Sequence, residues 1–408
     1  MRLKTIVVTV LALTVVGAAS GTVRYASPSG KDAEGLSASA PGRLRAMVDS
    51  LEPGDTLYLL DGQYNQTNTL VVHKRASADK WITICAADGA KPIFDFRHQP
   101  NGSNGVKVTG QYIQIKGLTV RYAGKKGVWL ENASYCRLEG LDVYGCCDSG
   151  IQLRKGGHNV VINCDSHDNF DYQDSGSNAD GFADKQGGDA FPGNTYIGCR
   201  AWHNSDDGWD HFQRQTKDTP TVYRYCVTYD NGPAEFDLSS HPRVLGIDSI
   251  LPCMEGKDLA HFPNGGNPNG FKLGGQGKEN KESGNYTRHD TDLQHCLAVG
   301  HRKKGFDQNN NAGQMSICHC LAIRNNVNYG FNNPYPCIVE IRHCVSLEPT
   351  EEHIATAPEN TVTQESNSWN DDGNTVALDG IDIVQVLLAN RQADGSLPEE
   401  LQKILENL

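Results

Sequence analysis

A short motif recurs along most of this sequence and limits the folds that the chain can adopt. A cysteine is followed at the fifth position by an asparagine or, once, a histidine, and the residues between them alternate apolar and polar side chains. Such alternation is typical of a short β-strand. The copies are Cys164 with Asn169, Cys199 with Asn204, Cys226 with Asn231, Cys296 with His301, and Cys320 with Asn325. Cys136 and Cys344 begin related segments.

A second motif precedes the first in each unit and consists of a glycine, a large apolar residue and a further residue that is usually polar. Its copies are Gly150-Ile151-Gln152, Gly181-Phe182-Ala183, Gly208-Trp209-Asp210, Gly270-Phe271-Lys272, Gly305-Phe306-Asp307 and Gly330-Phe331-Asn332. Two strand motifs that recur once per turn are the signature of a β-solenoid, in which each coil buries its apolar face by stacking on its neighbours. The sequence therefore predicts an all-β parallel β-helix.

The composition agrees with this fold, and its many cysteines could be free thiols, disulfides or zinc ligands. The chain has 408 residues, with 43 glycines, 4 methionines and 13 cysteines, which is typical of a turn-rich β protein. The repeat predicts that most cysteines form an interior stack of unpaired thiols, because a free cysteine packs as a small hydrophobe. A set of disulfides is the alternative. A zinc site is disfavoured, because neither Cys146-Cys147 nor Cys318 with Cys320 is joined by a second pair.

The N-terminus has the features of a secretory signal peptide. Arg2 and Lys4 precede an apolar run that ends at Val16, and small residues follow up to Ser20. We expect residues 1–20 to be this peptide and the mature protein to be secreted or periplasmic, with no lipid-anchoring cysteine and no membrane span. A buried N-terminal strand is the alternative.

Outside the repeat, the sequence predicts a cap and a tail. Apolar residues at helical spacing from Arg43 to Leu51 predict a short helix that covers the first coil. We expect the β-helix domain to span residues 21–346 and a C-terminal extension, residues 347–408, to pack on its end. Within this extension, residues 351–373 are expected to be irregular, whereas residues 381–388 and 398–408 are expected to form short helices.

The net charge of −12 argues against binding to nucleic acid or to anionic lipid. An acidic protein can still bind an acidic polymer if metal ions and a few local cations line its groove. The charge therefore leaves an acidic polymer open as a partner, and the protein is expected to be a monomer.

Stacking of the coils brings distant residues together. The residues before the repeated glycine are Asp180, Asp207, Asn269 and Lys304, and those two positions after it are Ala183, Asp210, Lys272 and Asp307. Because the apolar residue between them points inward, both sets should line one outer face. Four carboxylates, those of Asp180, Asp206, Asp207 and Asp210, are expected to gather there, a ligand set suited to Ca²⁺. The alternative is that Asp206-Asp207-Gly208 is a solvated turn.

Lys272 is expected next to this carboxylate group. A lone lysine is usually a solvated surface residue, but one beside a metal site is a candidate general base if its pKa falls toward the working pH. The surrounding carboxylates would oppose such a fall, so the sequence leaves the direction of the pKa shift open.

Four segments of the sequence resemble polysaccharide lyase family 9. They are Asn178-Ala179-Asp180-Gly181-Phe182, the run from Gly198 to Asp210, Asn269-Gly270-Phe271-Lys272-Leu273-Gly274-Gly275, and the run from Lys304 to Asn311. The resemblance covers residues 23–346. It implies a right-handed parallel β-helix, calcium held by Asp180, Asp206, Asp207 and Asp210, and Lys272 as the catalytic base. One departure is a long insertion between Pro233 and Pro268.

The family includes pectate lyases and rhamnogalacturonan lyases, so the resemblance implies calcium-dependent β-elimination on a galacturonate-containing pectic backbone, with 4,5-unsaturated products. Arg302, Lys304 and Lys185 are candidate substrate-binding cations. Polygalacturonate and the rhamnogalacturonan backbone both remain candidate substrates. Two other functions are alternatives: a β-helix glycoside hydrolase that uses paired aspartates, and a non-catalytic glycan-binding solenoid.

Overall fold

The computed structural model describes residues 21–32, 34–185, 189–246, 254–370, 373, 375–376, 378 and 380–408. The predicted signal peptide, residues 1–20, lies outside the described residues. Each turn of the chain contributes a strand to each of three long sheets, and sequence-distant strands pair in parallel within every sheet. This arrangement confirms the predicted parallel β-helix.

The strands of each sheet follow one another along the axis of the β-helix. The first sheet contains Val23–Lys31, Thr56–Leu59, Ile82–Ala86, Ile113–Lys116, Arg137–Glu139, Val160–Ile162, Thr195–Ile197, Thr221–Arg224, Thr291–Gln294, Gln314–Cys318, Ile338–Arg342 and Thr361–Glu365. The second contains Leu70–Val72, Val106–Val108, Val128–Glu131, Ile151–Arg154, Phe182–Asp184, Trp209–Asp210, Phe271–Lys272, Lys304–Asp307, Val327–Phe331 and Glu352–Thr356. The third contains Gly62–Asn65, Pro92–Asp95, Thr119–Arg121, Asp142–Tyr144, Asp165–His167, Arg200–Trp202, Val227–Tyr229, Leu297–Val299, Leu321–Ile323 and Val345–Leu347.

The helices of the described part are short. They are Leu44–Asp49, Pro242–Gly246, Lys278–Ser283, Ile383–Leu388 and Glu399–Glu406. The first buries Leu44, Met47 and Val48 in the main core cluster beside the first strand, as predicted for a cap. Among the described residues, no helix is both long and apolar enough to cross a membrane.

The apolar residue of the glycine motif forms an aromatic stack inside the β-helix. Ring centroids of successive coils are 4.6 to 5.0 Å apart along Phe182, Trp209, Phe271, Phe306 and Tyr329. The expected register was wrong at the last member, because Tyr329 and not Phe331 pairs with Phe306. Asn328 therefore takes the place of the motif glycine, so the glycine pattern in the sequence does not mark this copy.

The cysteine motif forms a second interior stack. Cys164, Cys199, Cys226, Cys296 and Cys320 are fully buried, and the carbonyl of each accepts a hydrogen bond from the amide that follows the stacked cysteine one coil later, with Cys344 as the last of these. None of the twelve cysteines in the described part of the chain is disulfide-bonded, in agreement with a thiol stack.

Cys136 was expected to begin a segment related to the cysteine motif, and this expectation was wrong. Cys136 precedes a strand of the first sheet, Arg137–Glu139, whereas the stacked cysteines precede strands of the third sheet.

The polar residue of the cysteine motif forms a buried ladder at the turn after each strand. Asn169 donates to Asn204 (2.7 Å), Asn204 donates to Asn231 (2.8 Å), and His301 bonds Asn325 (2.8 Å).

The C-terminal segment differs from the expectation in two ways. Residues 351–373 are not irregular throughout, because Glu352–Thr356 and Thr361–Glu365 are strands that extend the second and first sheets. The two predicted helices, Ile383–Leu388 and Glu399–Glu406, are present, but they pack on the outer face of the third sheet and not only at the end of the solenoid. The apolar outer residues of that sheet provide the surface that they cover.

The insertion between Pro233 and Pro268 folds back over earlier coils. Its described part contains an antiparallel strand pair, Glu235–Phe236 with Phe262–Pro263. Arg243 is buried and donates to the carbonyl of Phe96 (3.0 Å) and to the side chain of Asn101 (2.7 Å). These bonds attach the insertion to coils that lie well before the one from which it departs.

Candidate active site

The second sheet brings the expected site residues into register. Ala183 pairs with Asp210, Asp210 with Lys272, and Lys272 with Asp307. One level earlier, the amide of Gly181 donates to the carbonyl of Asp207 at 3.0 Å. The strands here are only two or three residues long, so the polar residues of the adjoining turns lie next to those of the strands.

Three carboxylates form a compact group on this face. Asp180, Asp207 and Asp210 each offer an oxygen, and these oxygens lie within 4.8 Å of one another. All three side chains are buried. Like charges at this separation repel strongly when they are removed from water, so a cation is required to balance them.

Two lysines contact this carboxylate group. The Nζ of Lys272 lies 2.8 Å from Asp207 and 3.4 Å from Asp210. The Nζ of Lys185 lies 2.8 Å from Asp180 and 2.7 Å from Asp210. Lys185, expected in the substrate groove, therefore lies within the carboxylate cluster itself.

Asp206 is buried beside this group, but its carboxylate is directed toward the end of the insertion. Its carboxylate accepts a hydrogen bond from the backbone amide of Asn267 at 2.6 Å. Asn267 belongs to the end of the insertion, so the insertion contributes directly to the position of this aspartate.

The pKa values of the carboxyl groups reflect both burial and the lysines. Burial raises the pKa of Asp207 to about 7, although the Lys272 ammonium opposes this shift. Burial and then the Asp207 carboxylate raise the pKa of Asp206 well above its usual range. Burial also acts on Asp210, but the ammonium groups of Lys185 and Lys272 outweigh it and lower its pKa.

The same carboxylates determine the protonation of Lys272. Burial alone would lower its pKa, but the charges of Asp207 and Asp210 outweigh burial and hold it well above its ordinary value. The direction that the sequence left open is therefore upward in this arrangement, and the amine is protonated unless the carboxylates are otherwise neutralised.

The other two candidate cations lie on the next coil. Lys304 contacts Asp307 and Asn332, each at 2.8 Å. Arg302 is exposed, and its Nε donates to the carbonyl of Gly232 at 2.5 Å. Both border the same face as Lys272, on the side of the later coils.

Two further aspartates near the site do not join the carboxylate group. Asp184 points to the opposite side of its strand, where it is buried 2.8 Å from Asn194 and 3.5 Å from Arg214. Asp189 is exposed. Strand alternation explains the position of Asp184, because it follows Ala183 by one residue.

Sequence reasoning assigned no role to the neutral residues that orient the carboxylates. Both the backbone and the side-chain amide of Asn269 donate to Asp207 at 2.8 Å. The hydroxyl of Ser149 donates to Asp180 at 2.9 Å. The sequence could have indicated Asn269, because it occupies the position equivalent to Asp207 on the next coil. No sequence pattern marked Ser149, because serine is common in turns.

Comparison with known proteins identifies the family. Residues 24–343 match the family described as Pel9A-like, right-handed beta helix region. The chain belongs to this family. The Pel9A-like chain is 30% identical to pectate lyase L of Dickeya dadantii (strain 3937) over 401 residues, covering 94% of this chain and 83% of that protein. It is 26% identical to pectate lyase PEL9 of Emericella nidulans, covering 91% and 90%.

Solved structures agree with this assignment. The crystal structure of pectate lyase Pel9A superposes with a TM-score of 0.75 at 30% identity, covering 92% of this Pel9A-like chain and 87% of that chain. A rhamnogalacturonan lyase has a TM-score of 0.74 at 22% identity, covering 93% and 95%, which shows a shared fold. The resemblance to the lyase family and the right-handed parallel β-helix are thus confirmed, and the protein is a lyase.

Proposed function

We propose that this lyase cleaves a galacturonate-containing pectic polysaccharide by β-elimination, with calcium bound at Asp180, Asp206, Asp207 and Asp210 and with Lys272 as the base. The observation that carries the proposal is the placement of Lys272 on the strand next to Asp210, within 2.8 Å of Asp207. The relatives named pectate lyase support the choice of substrate class.

The residues present fit a divalent cation. Three clustered carboxylates contact two ammonium groups, and the buried carboxylate of Asp206 lies beside them, so full ionisation would leave two negative charges without a partner. All the ligand atoms are oxygens, which calcium prefers, and its flexible coordination accepts several carboxylates. Asp180, Asp207 and Asp210 would supply the nearest ligands. Asp206 would join them if its carboxylate turned from the amide of Asn267.

Bound calcium would supply positive charge that neutralises a uronate carboxylate and favours the negative charge that develops beside C5. Lys272, in its neutral form, would accept the proton from C5 through its Nζ. The electron pair of the C5–H bond would form the C4–C5 double bond, and the bond from C4 to the bridging oxygen would break. The released chain would take up a proton at that oxygen.

The chain's other cations would orient the substrate. Lys304 and Arg302 lie on the next coil of the same face and would contact uronate carboxylates there. Lys185 would act closer to the reaction, because it already bridges Asp180 and Asp210.

The first experiment is ultraviolet absorbance over time on polygalacturonate and, separately, on rhamnogalacturonan, each with calcium or with a chelator. A calcium-dependent rise would reveal the unsaturated product, and the faster polymer would identify the substrate. New reducing ends without a rise in absorbance would contradict the proposal and indicate a hydrolase. Retention on the polymer without either product would indicate a glycan-binding protein.

We also propose that the protein acts outside the cytoplasm as a monomer. The signal-like N-terminus motivates the first part. The second follows the expectation stated from the sequence. Size-exclusion chromatography with light scattering and N-terminal sequencing of the exported protein would test both parts.

A further inference from the structure

We propose that the second sheet carries a distal binding strip for further uronate units of the same polymer, formed by Lys107, Lys126, Trp129 and Arg154. This inference rests on the proposed function. The cationic strip, as we call these four residues, lies on the coils that precede the carboxylate cluster.

Strand register places the cationic strip in line with the candidate active site. Trp129 pairs with Lys107 on one side and with Gln152 on the other, Gln152 pairs with Ala183, and Ala183 pairs with Asp210. Three strand spacings of about 4.8 Å put Trp129 roughly 14 Å from Asp210. A pyranose unit and a strand spacing are similar in length, so a bound polymer would reach the strip about three units from the site.

The strip combines an aromatic ring with cations. The Nζ of Lys107 lies 4.3 Å from the centre of the Trp129 ring, and that of Lys126 lies 5.9 Å from it. The indole N–H of Trp129 is covered, and no acceptor for it occurs within the described ranges. A buried donor without a partner costs free energy, and a ligand oxygen that reached it would remove this cost.

The side chains of the cationic strip carry more positive charge than the carboxylates that they contact can balance. Lys107 lies 2.8 Å and Arg154 lies 3.6 Å from the same carboxylate, that of Glu131, while Lys126 pairs with Asp148 at 2.7 Å. Three cations thus share two carboxylates, in a chain whose net charge is −12. The side chains of Lys107 and Arg154 remain 27% and 44% exposed, so an anionic ligand can contact them.

These features select an anionic, hydroxyl-rich ligand. Uronate carboxylates match the surplus positive charge, and charge-assisted hydrogen bonds from lysine and arginine are stronger than neutral ones. The ring and its N–H suit the mixed apolar and hydroxyl surface of a sugar. Because the strip continues the face of the site, we assign it to the same polymer.

The test replaces Lys107 with methionine, which keeps the aliphatic stem and removes the charge. The matched control is Lys116→Met. Lys116 also projects from a strand and pairs with a glutamate, Glu139, at 2.8 Å, but it lies on the first sheet. We expect Lys107→Met to raise KM for polygalacturonate about five- to tenfold with little change in kcat, and Lys116→Met to leave both near wild type.

Chain length provides the second readout. The ratio of kcat/KM on polygalacturonate to that on a galacturonate trimer should fall in Lys107→Met and in Trp129→Ala, because the trimer is too short to span both sites. Equal changes in KM for Lys107→Met and Lys116→Met, or equal losses of kcat/KM on the trimer and on the polymer, would contradict the proposed strip.

Binding separates this inference from the proposed function. Electrophoresis through a gel that contains polygalacturonate measures retention without turnover when calcium is removed by a chelator. Weaker retention of Lys107→Met than of Lys116→Met would support the strip even if the wild type proved inactive in the absorbance assay. Equal retention of the two variants would refute the strip even if lyase activity were established.

Discussion

The second and third sheets belong to the same coils, yet their outer faces differ completely. On the third sheet, outward residues such as Val227, Leu297 and Leu321 are apolar and lie under the helices Ile383–Leu388 and Glu399–Glu406. On the second sheet, the outward residues at the same coils include the charged side chains of Asp210, Lys272 and Asp307, and none of these belongs to the cluster under the helices.

This difference shows how a repeat can hold a site without being disturbed by it. The interior stacks bury apolar side chains on every coil and provide most of the stability. The outward positions do not take part in that packing, so one face can bind a helix pair while another gathers buried charges. Substitutions under the helices on the third sheet should therefore change stability, whereas substitutions on the second sheet should change turnover or calcium binding.

The largest expected effect is the loss of turnover in Lys272→Ala on the second sheet. Removal of a general base lowers kcat by about 10³-fold. Calcium should still bind, and in saturating calcium, which balances the buried carboxylates that Lys272 contacts, the melting temperature should remain close to that of the wild type. Retained turnover in this variant would show that Lys272 is not the general base. A large fall in its melting temperature would show that the two faces are not independent.

On the third sheet, Leu401→Ala should destabilise the protein without changing its chemistry. Leu401 is fully buried in the cluster between the helices and the sheet, so truncation should lower the free energy of unfolding by about 2–4 kcal/mol. Leu388, 42% exposed, offers the control, and Leu388→Ala should cost less than about 0.5 kcal/mol. Denaturant unfolding measures both. A changed kcat in Leu401→Ala would contradict the comparison.

Calcium should stabilise the second-sheet face through Asp207. Isothermal titration should show at least a roughly tenfold loss of calcium affinity in Asp207→Ala, because a charged ligand is removed. The rise in melting temperature that calcium produces in the wild type should be smaller in this variant. The same rise in both proteins would mean that Asp207 does not bind the ion.

The smallest expected effect is a pH dependence of stability without calcium. Between its ordinary value of 3.8 and about 7, the Asp207 carboxyl holds a proton in the folded state that it has lost in the unfolded state. The free energy of unfolding should therefore fall as pH rises through this window. Thermal melts in chelator should show a shallower fall for Asp207→Asn, whose side chain has no such proton. Identical slopes would contradict the raised pKa.

The sequence predicted most of the fold because each coil repeats the same requirements. Cys199 and Asn204 mark one coil, Trp209 marks the next strand, and their counterparts lie above and below them. Prediction failed where a motif residue changed, as at Asn328, and where the repeat became irregular, as in Glu352–Thr356. It also failed to place the C-terminal helices, since their amphipathic pattern does not specify which face they cover.

By itself, the sequence determined the parallel β-helix and the coils on which Asp180, Asp207, Asp210 and Lys272 lie, because stacking converts register into proximity. Only the tertiary structure decided what these side chains contact. Lys185 turned out to be part of the carboxylate cluster, Asp206 is directed to the insertion, and the pKa of Lys272 shifts upward. These outcomes depend on distances and on burial in three dimensions, which a repeat pattern does not contain.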